Sequence, residues 1–224
     1  IKASKASVFF DNGFGFELWA EKFVSNLKVK RVTISDRLDP IFISEDFYKG
    51  KPNPHAWISP KRGMIYVDII VDSLSELKPS KAEAFKNNGQ IYKNKIAQLD
   101  KDFSLFINNL EKNNRYLVTC EGAFSYLTND YGLKEAYLWP VNAESQITPK
   151  RMARTISLVK NKNIPSVFCE STVSNESQMV VASETGAKFG GDLFVDSLSQ
   201  DNGRANTYLK MLQHNLTLIK KGLN

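Results

Sequence analysis

The chain has 224 residues, 42% hydrophobic and 24% charged, with a net charge of +6 and two cysteines. This is ordinary globular composition: no apolar run approaches the ~18 residues of a membrane span, and Lys and Arg are scattered without interleaved aromatics, which argues against a nucleic-acid surface. Cys120 and Cys169 are too few for a disulfide framework, and each lies in an apolar β-like run, so buried free thiols are expected.

Residues 1–6 read as the tail of a helix, so the first unit is expected to lack its beginning. Ser7-Val8-Phe9-Phe10 reads as a short buried strand ending at the turn-prone Asp11-Asn12-Gly13. Residues 18–27 have helical spacing, with Trp19, Phe23 and Leu27 on one side, and residues 29–35 follow as a strand. An irregular stretch over 36–52 leads to Asn53-Pro54-His55-Ala56-Trp57-Ile58-Ser59-Pro60. Ser59 is a good N-cap and Pro60 a good first helical residue. His55 is therefore held on a stiff loop just ahead of a helix. A histidine so placed serves as readily in packing as in ligation.

Residues 79–110 are the longest regular stretch. Ser80 and Glu83 have the spacing of a capping box. Behind them Phe85, Gly89, Tyr92 (with Ile91 beside it), Ile96, Leu99, Phe103, Phe106 and Leu110 recur in steps of four and three. One apolar stripe on a rod on the order of 46 Å predicts a spine between two lobes. The domains expected are 1–78 as the rest of an N-terminal lobe, 79–112 as the connecting helix and 113–224 as a C-terminal α/β lobe.

Beyond the spine, strands over 116–119, 136–138, 166–169 and 193–195 alternate with helices, two of them opened by Thr148-Pro149 and Thr207. Such alternation predicts a parallel sheet. Ligands of open α/β sheets gather beyond the carboxyl ends of strands, where Glu121, Glu170 and Asp196 fall. Glu170, followed by Ser171 and Thr172, reads better as a cap of the next helix. Glu121 and Asp196 facing His55 would suit a hard-to-borderline divalent metal.

The stretches Asn53-Pro54-His55-Ala56-Trp57, Thr119-Cys120-Glu121-Gly122-Ala123-Phe124 and Gly190-Gly191-Asp192-Leu193-Phe194-Val195-Asp196-Ser197-Leu198 resemble the metal-binding solute-binding proteins of bacterial zinc, manganese and iron ABC transporters. This is the TroA-like, or cluster A-I, family. The resemblance covers nearly the whole chain and keeps the motif order. It implies two α/β lobes joined by one long rigid helix, with the metal between them. Carried over by position, three ligands fall on His55, Glu121 and Asp196, and Glu121 stands where zinc-type members usually carry histidine. The family's first ligand, an earlier histidine, has no counterpart, and His214 lies in the closing helix, where it cannot replace it.

The resemblance further implies a periplasmic or lipid-anchored receptor, expected to be a monomer, that delivers Mn²⁺ or Fe²⁺ ahead of Zn²⁺ to a membrane permease without catalysis. One histidine and two carboxylates also allow a metal-dependent hydrolase, which would need a general base and an oxyanion stabiliser. Surface adhesion is a further role, as some relatives are described as adhesins.

Overall fold

A computed structural model of the chain describes residues 5–25, 28–141 and 147–224. The expectations for residues 1–4 and for Leu27 lie outside these. Strand β1 (Val8–Asp11) pairs in parallel with β2 (Lys30–Thr33), with Asp11 opposite Thr33. Between them the expected helix shrinks to one turn, α1 (Glu21–Val24). Its buried pair is Ala20 and Val24, four residues apart, whereas Trp19 and Phe23 are 75% and 70% exposed. The larger side chains suggested the wrong face.

Helix α2 (Pro60–Leu77) begins where Ser59 and Pro60 predict. The Ser59 carbonyl accepts from the Gly63 amide, but its hydroxyl donates to Asp130 instead of capping the helix. The spine is continuous over α3 (Ala82–Asn109), preceded by a 3₁₀ turn over Pro79–Lys81. No side-chain cap forms at the start of α3, so the capping box is not realised. Gly89, Ile96 and Phe103 are buried as the stripe predicts, Ile107 joins them, and Ile91 faces out. Gly89 lies so close to α2 that an added Cβ would run into Val71. Its place on the seam is one of close packing, not of hinging.

The C-terminal part alternates as predicted. Strand β3 (Tyr116–Glu121) pairs in parallel with β4 (Lys134–Trp139), and β5 (Ser166–Glu170) with β6 (Lys188–Leu193). The strands β3 and β5 lie side by side. Helix α4 (Ser125–Tyr131) joins β3 to β4, and α5 (Pro149–Lys162) follows β4. Helices α6 (Glu176–Thr185) and α7 (Tyr208–Leu223) complete the order, α6 stopping at Gly186 with its left-handed φ of 76°. Thr148 and Thr207 cap α5 and α7 through their hydroxyls.

All six residues of β3 are buried, as befits a strand covered on both faces. Leu117 faces a core built with Ile96, Phe103, Phe124, Phe168 and Leu216. Val118 and Cys120 face a second core with Val159, Val167 and Val181. Alternation carries Glu121 to the Leu117 side. It also brings Cys120 beside Cys169, whose Cα atoms are 4.8 Å apart, and the two form a disulfide. This corrects the expectation of free thiols. Each cysteine alone looks like a small core residue, and only strand adjacency across 49 positions pairs them. A disulfide of this kind persists in oxidising compartments.

The last strand also differs from the sequence reading. It ends at Leu193, so Asp196 lies in the loop beyond it. Gly190 and Gly191 hide the apolar pattern, and each is required. A Cβ on Gly190 would strike the Phe168 ring, and Gly191 holds a φ of +114°.

Candidate metal centre

The loop that carries His55 is held from several sides. Asn12 donates to the Pro54 carbonyl at 3.0 Å, and the Tyr126 hydroxyl donates to the Asn53 carbonyl at 2.8 Å. Trp57 donates through Nε1 to the Val195 carbonyl at 3.1 Å, and Tyr208 donates to the Trp57 carbonyl at 2.7 Å. The loop ahead of α2 is thereby tied to the segment after β6. His55 itself is 1% exposed, with the Trp57 ring 5.2 Å away, centroid to centroid.

The protonation pattern of His55 follows from its neighbour. Asn53 donates through Nδ2 to the Gly122 carbonyl at 2.7 Å, so its Oδ1 is turned to His55. That oxygen accepts from the His55 amide at 3.1 Å and lies 2.8 Å from Nδ1. Facing an acceptor, Nδ1 carries the proton, and Nε2 keeps its lone pair. Nε2 lies 3.4 Å from Asp196 Oδ1. Asp196 is placed by backbone contacts on either side of Phe194: Asn215 accepts from the Phe194 amide at 2.9 Å and donates to its carbonyl at 2.7 Å.

Glu121 closes β3 and is buried. Its amide donates to Glu170 Oε2 at 3.0 Å, and its carbonyl accepts from the Thr119 hydroxyl at 2.7 Å. The structure thus brings His55 and Asp196 together, and places Glu121, buried, at the carboxyl end of β3. Among the described residues these three do not form a cluster of donors within 4.8 Å; the group that does is Cys120, Cys169 and Glu170. Both sulfurs of that group are spent in the disulfide. Beside Asp196 opens a largely apolar cleft of about 620 Å³, lined among others by Phe16, Trp57, Tyr66, Val195 and Tyr208.

Glu170 does not cap a helix, since α6 starts at Glu176 with Asn175 as its N-cap. It is fully buried under the mouth, and burial together with the negative charge of Glu121 holds its carboxyl well above the usual range. Sequence reasoning also missed Glu135, on β4. Its Oε1 accepts from the Phe124 amide at 3.1 Å and its Oε2 from the Ser125 hydroxyl at 2.6 Å. Its signal in the sequence was slight: one acid next to Lys134 at the start of a strand that runs on through Ala136, Tyr137, Leu138 and Trp139.

Burial pushes the Glu135 carboxyl up to about 7, against the pull of Ser125, Phe124 and His55. An ordinary glutamate at 4.5 has already lost its proton when the chain is unfolded. Between these values the folded state holds more protons than the unfolded one, so stability falls as pH rises through this window. Urea midpoints at about pH 5 and about pH 8 should therefore show a decline that Glu135→Gln flattens. Glu170, shifted in the same direction, would keep a residual slope.

The family described as "Zinc-uptake complex component A periplasmic" (ZnuA) matches residues 1–222. The chain belongs to this family. It is 41% identical to the iron-binding protein YfeA of Yersinia pestis over 223 residues, covering 99% of the chain and 72% of YfeA. It is 31% identical to the manganese ABC transporter substrate-binding lipoprotein PsaA of Streptococcus anginosus, covering 100% of the chain and 75% of that relative. Among solved structures, the Mn-bound periplasmic metal-binding protein from Candidatus Liberibacter asiaticus superposes with a TM-score of 0.91 at 38% identity, covering 100% of this chain and 83% of the other.

Proposed function

We propose that this protein is an extracytoplasmic substrate-binding receptor that captures a divalent transition metal and delivers it to a membrane ABC permease. Its family is one of transport components, not of enzymes, and its relatives are named for iron, manganese and zinc. A metal-dependent hydrolase finds no support in that company. Among the described residues no helix is long and apolar enough to cross a membrane. We read the receptor as a monomer with no nucleic-acid partner.

The observation that carries a metal site is the approach of His55 to Asp196, with Nε2 3.4 Å from the carboxylate Oδ1 while Nδ1 is taken up by Asn53. An imidazole and a carboxylate so arranged make a ligand pair for a borderline cation. In this reading Glu121 is the third ligand, and the two carboxylates neutralise the ion's charge.

The ligand set also bears on metal choice. Divalent affinity rises from Mn²⁺ through Fe²⁺ towards the later metals, so raw affinity cannot select manganese. Carboxylates can: each binds through one oxygen or two, and Glu121 with Asp196 offers up to four, which favours Mn²⁺ and Fe²⁺ over a tetrahedral, histidine-rich zinc site. Zinc should still bind in vitro without being the transported ion. Competitive titrations of wild type and Glu121→His with Mn²⁺ and Zn²⁺ in one buffer should move the affinity ratio towards zinc. An unchanged ratio would remove Glu121 as the selectivity residue.

A further inference from the structure

We infer that Asn53, backed by Ser125 and Glu135, is the positioning device that fixes His55 with its proton on Nδ1 and its lone pair on Nε2. The chain of contacts is continuous and directional. At its far end Glu135 is an acceptor through both oxygens, held by the Phe124 amide at 3.1 Å and the Ser125 hydroxyl at 2.6 Å. With its one proton directed at Glu135, the Ser125 oxygen can only accept from Asn53, whose Nδ2 lies 3.2 Å away. The same Nδ2 donates to the Gly122 carbonyl at 2.7 Å. Two acceptors on one side leave the Asn53 amide a single orientation, with Oδ1 to His55 at 2.8 Å.

The arrangement matters because a neutral imidazole has two tautomers and only one leaves Nε2 free to ligate. Without an acceptor at Nδ1, a fraction of the molecules would carry the proton on the ligating nitrogen. An acceptor there also raises the ring's basicity as a donor to metal. The residues come from the loop ahead of α2, from α4 and from β4, so the device spans the two halves of the chain. A cavity of about 360 Å³ lies along it, lined by Asn53, Gly122, Ser125 and Glu135.

The test is nitrogen NMR of the histidine rings in metal-free protein at about pH 8. The chain has two histidines. His214 is the internal control, because its Nε2 lies 3.2 Å from the Asp192 carbonyl and must carry the proton, the opposite tautomer. Wild type should show His55 protonated on Nδ1 alone. Asn53→Leu should give a tautomer mixture and lower Zn²⁺ affinity by about 10–100-fold, the usual effect of losing an outer-shell partner. Asn53→Asp keeps the acceptor and should keep the tautomer, which separates positioning from a failure to fold. Glu135→Gln should weaken the Nδ1 hydrogen bond and cost less affinity than Asn53→Leu, with His214 unmoved in each variant. His55 protonated on Nε2 in wild type, or Asn53→Leu leaving tautomer and affinity unchanged, would overturn the inference. No response in Glu135→Gln would overturn the part given to Glu135. The consequence for affinity rests on His55 being a ligand. If wild type binds no metal yet the tautomer follows Asn53, it is the metal-site reading that fails.

Discussion

Asp196→Ala should lower affinity for Mn²⁺, Fe²⁺ and Zn²⁺ alike by more than about 100-fold, beyond the 10–100-fold typical of outer-shell partners. The expectation follows from what the side chain contributes. In the proposed site it is the carboxylate beside His55 Nε2, and its removal would take away both a ligand and a negative charge. The fold does not depend on it. The side chain is 29% exposed, and the neighbouring backbone is held by Asn215 at Phe194 and by Trp57 at Val195. The unfolding midpoint should therefore stay within about 0.5 kcal/mol of wild type, as for most surface substitutions. Asp196→Asn, which keeps an oxygen and loses the charge, should fall between the two. Titration against a chromophoric chelator reads the affinities, and equal binding by wild type and Asp196→Ala would exclude Asp196 from the site.

Replacing both cysteines by alanine should destabilise the protein by roughly 4 kcal/mol. The bridge joins positions 49 apart, and a cross-link over a loop of that length removes much of the freedom of the unfolded chain. Both sulfurs are also fully buried in the core beside Val118, Val167 and Val181, so their loss leaves space that the sheet cannot easily close. Urea unfolding under oxidising conditions measures the difference. Denatured wild type, free of reductant, should show no reactive thiol. Two reactive thiols and an unchanged midpoint in the double variant would contradict the bridge.

The contrast between these two predictions shows what the sequence carried. His55, Glu121 and Asp196 could be proposed from the sequence because each sits in a short stretch with its own local meaning: a proline-stiffened loop, a strand ending in an acid, and a glycine pair before an apolar run. The spine was legible because its periodicity is long. The disulfide was not, because pairing depends on which strands become neighbours, and nothing near Cys120 or Cys169 encodes that. Glu135 escaped for a similar reason. Its partners Phe124 and Ser125 are ten or so residues away across a helix, and its link to His55 runs through Asn53, distant in sequence. The one-turn α1 was misjudged because spacing reports a face, and the smaller Ala20 and Val24, not Trp19 and Phe23, occupy the buried one. The boundary of β6 slipped because two glycines inside it carry no apolar signal.

The account as a whole depends on where the metal sits. Anomalous diffraction at the manganese edge, from crystals grown with Mn²⁺, answers that directly. The account predicts one strong peak within coordination distance of His55 Nε2 and of carboxylate oxygens of Glu121 and Asp196. A peak beside Glu170 and the disulfide, or a strong peak that none of the three residues touches, would contradict it.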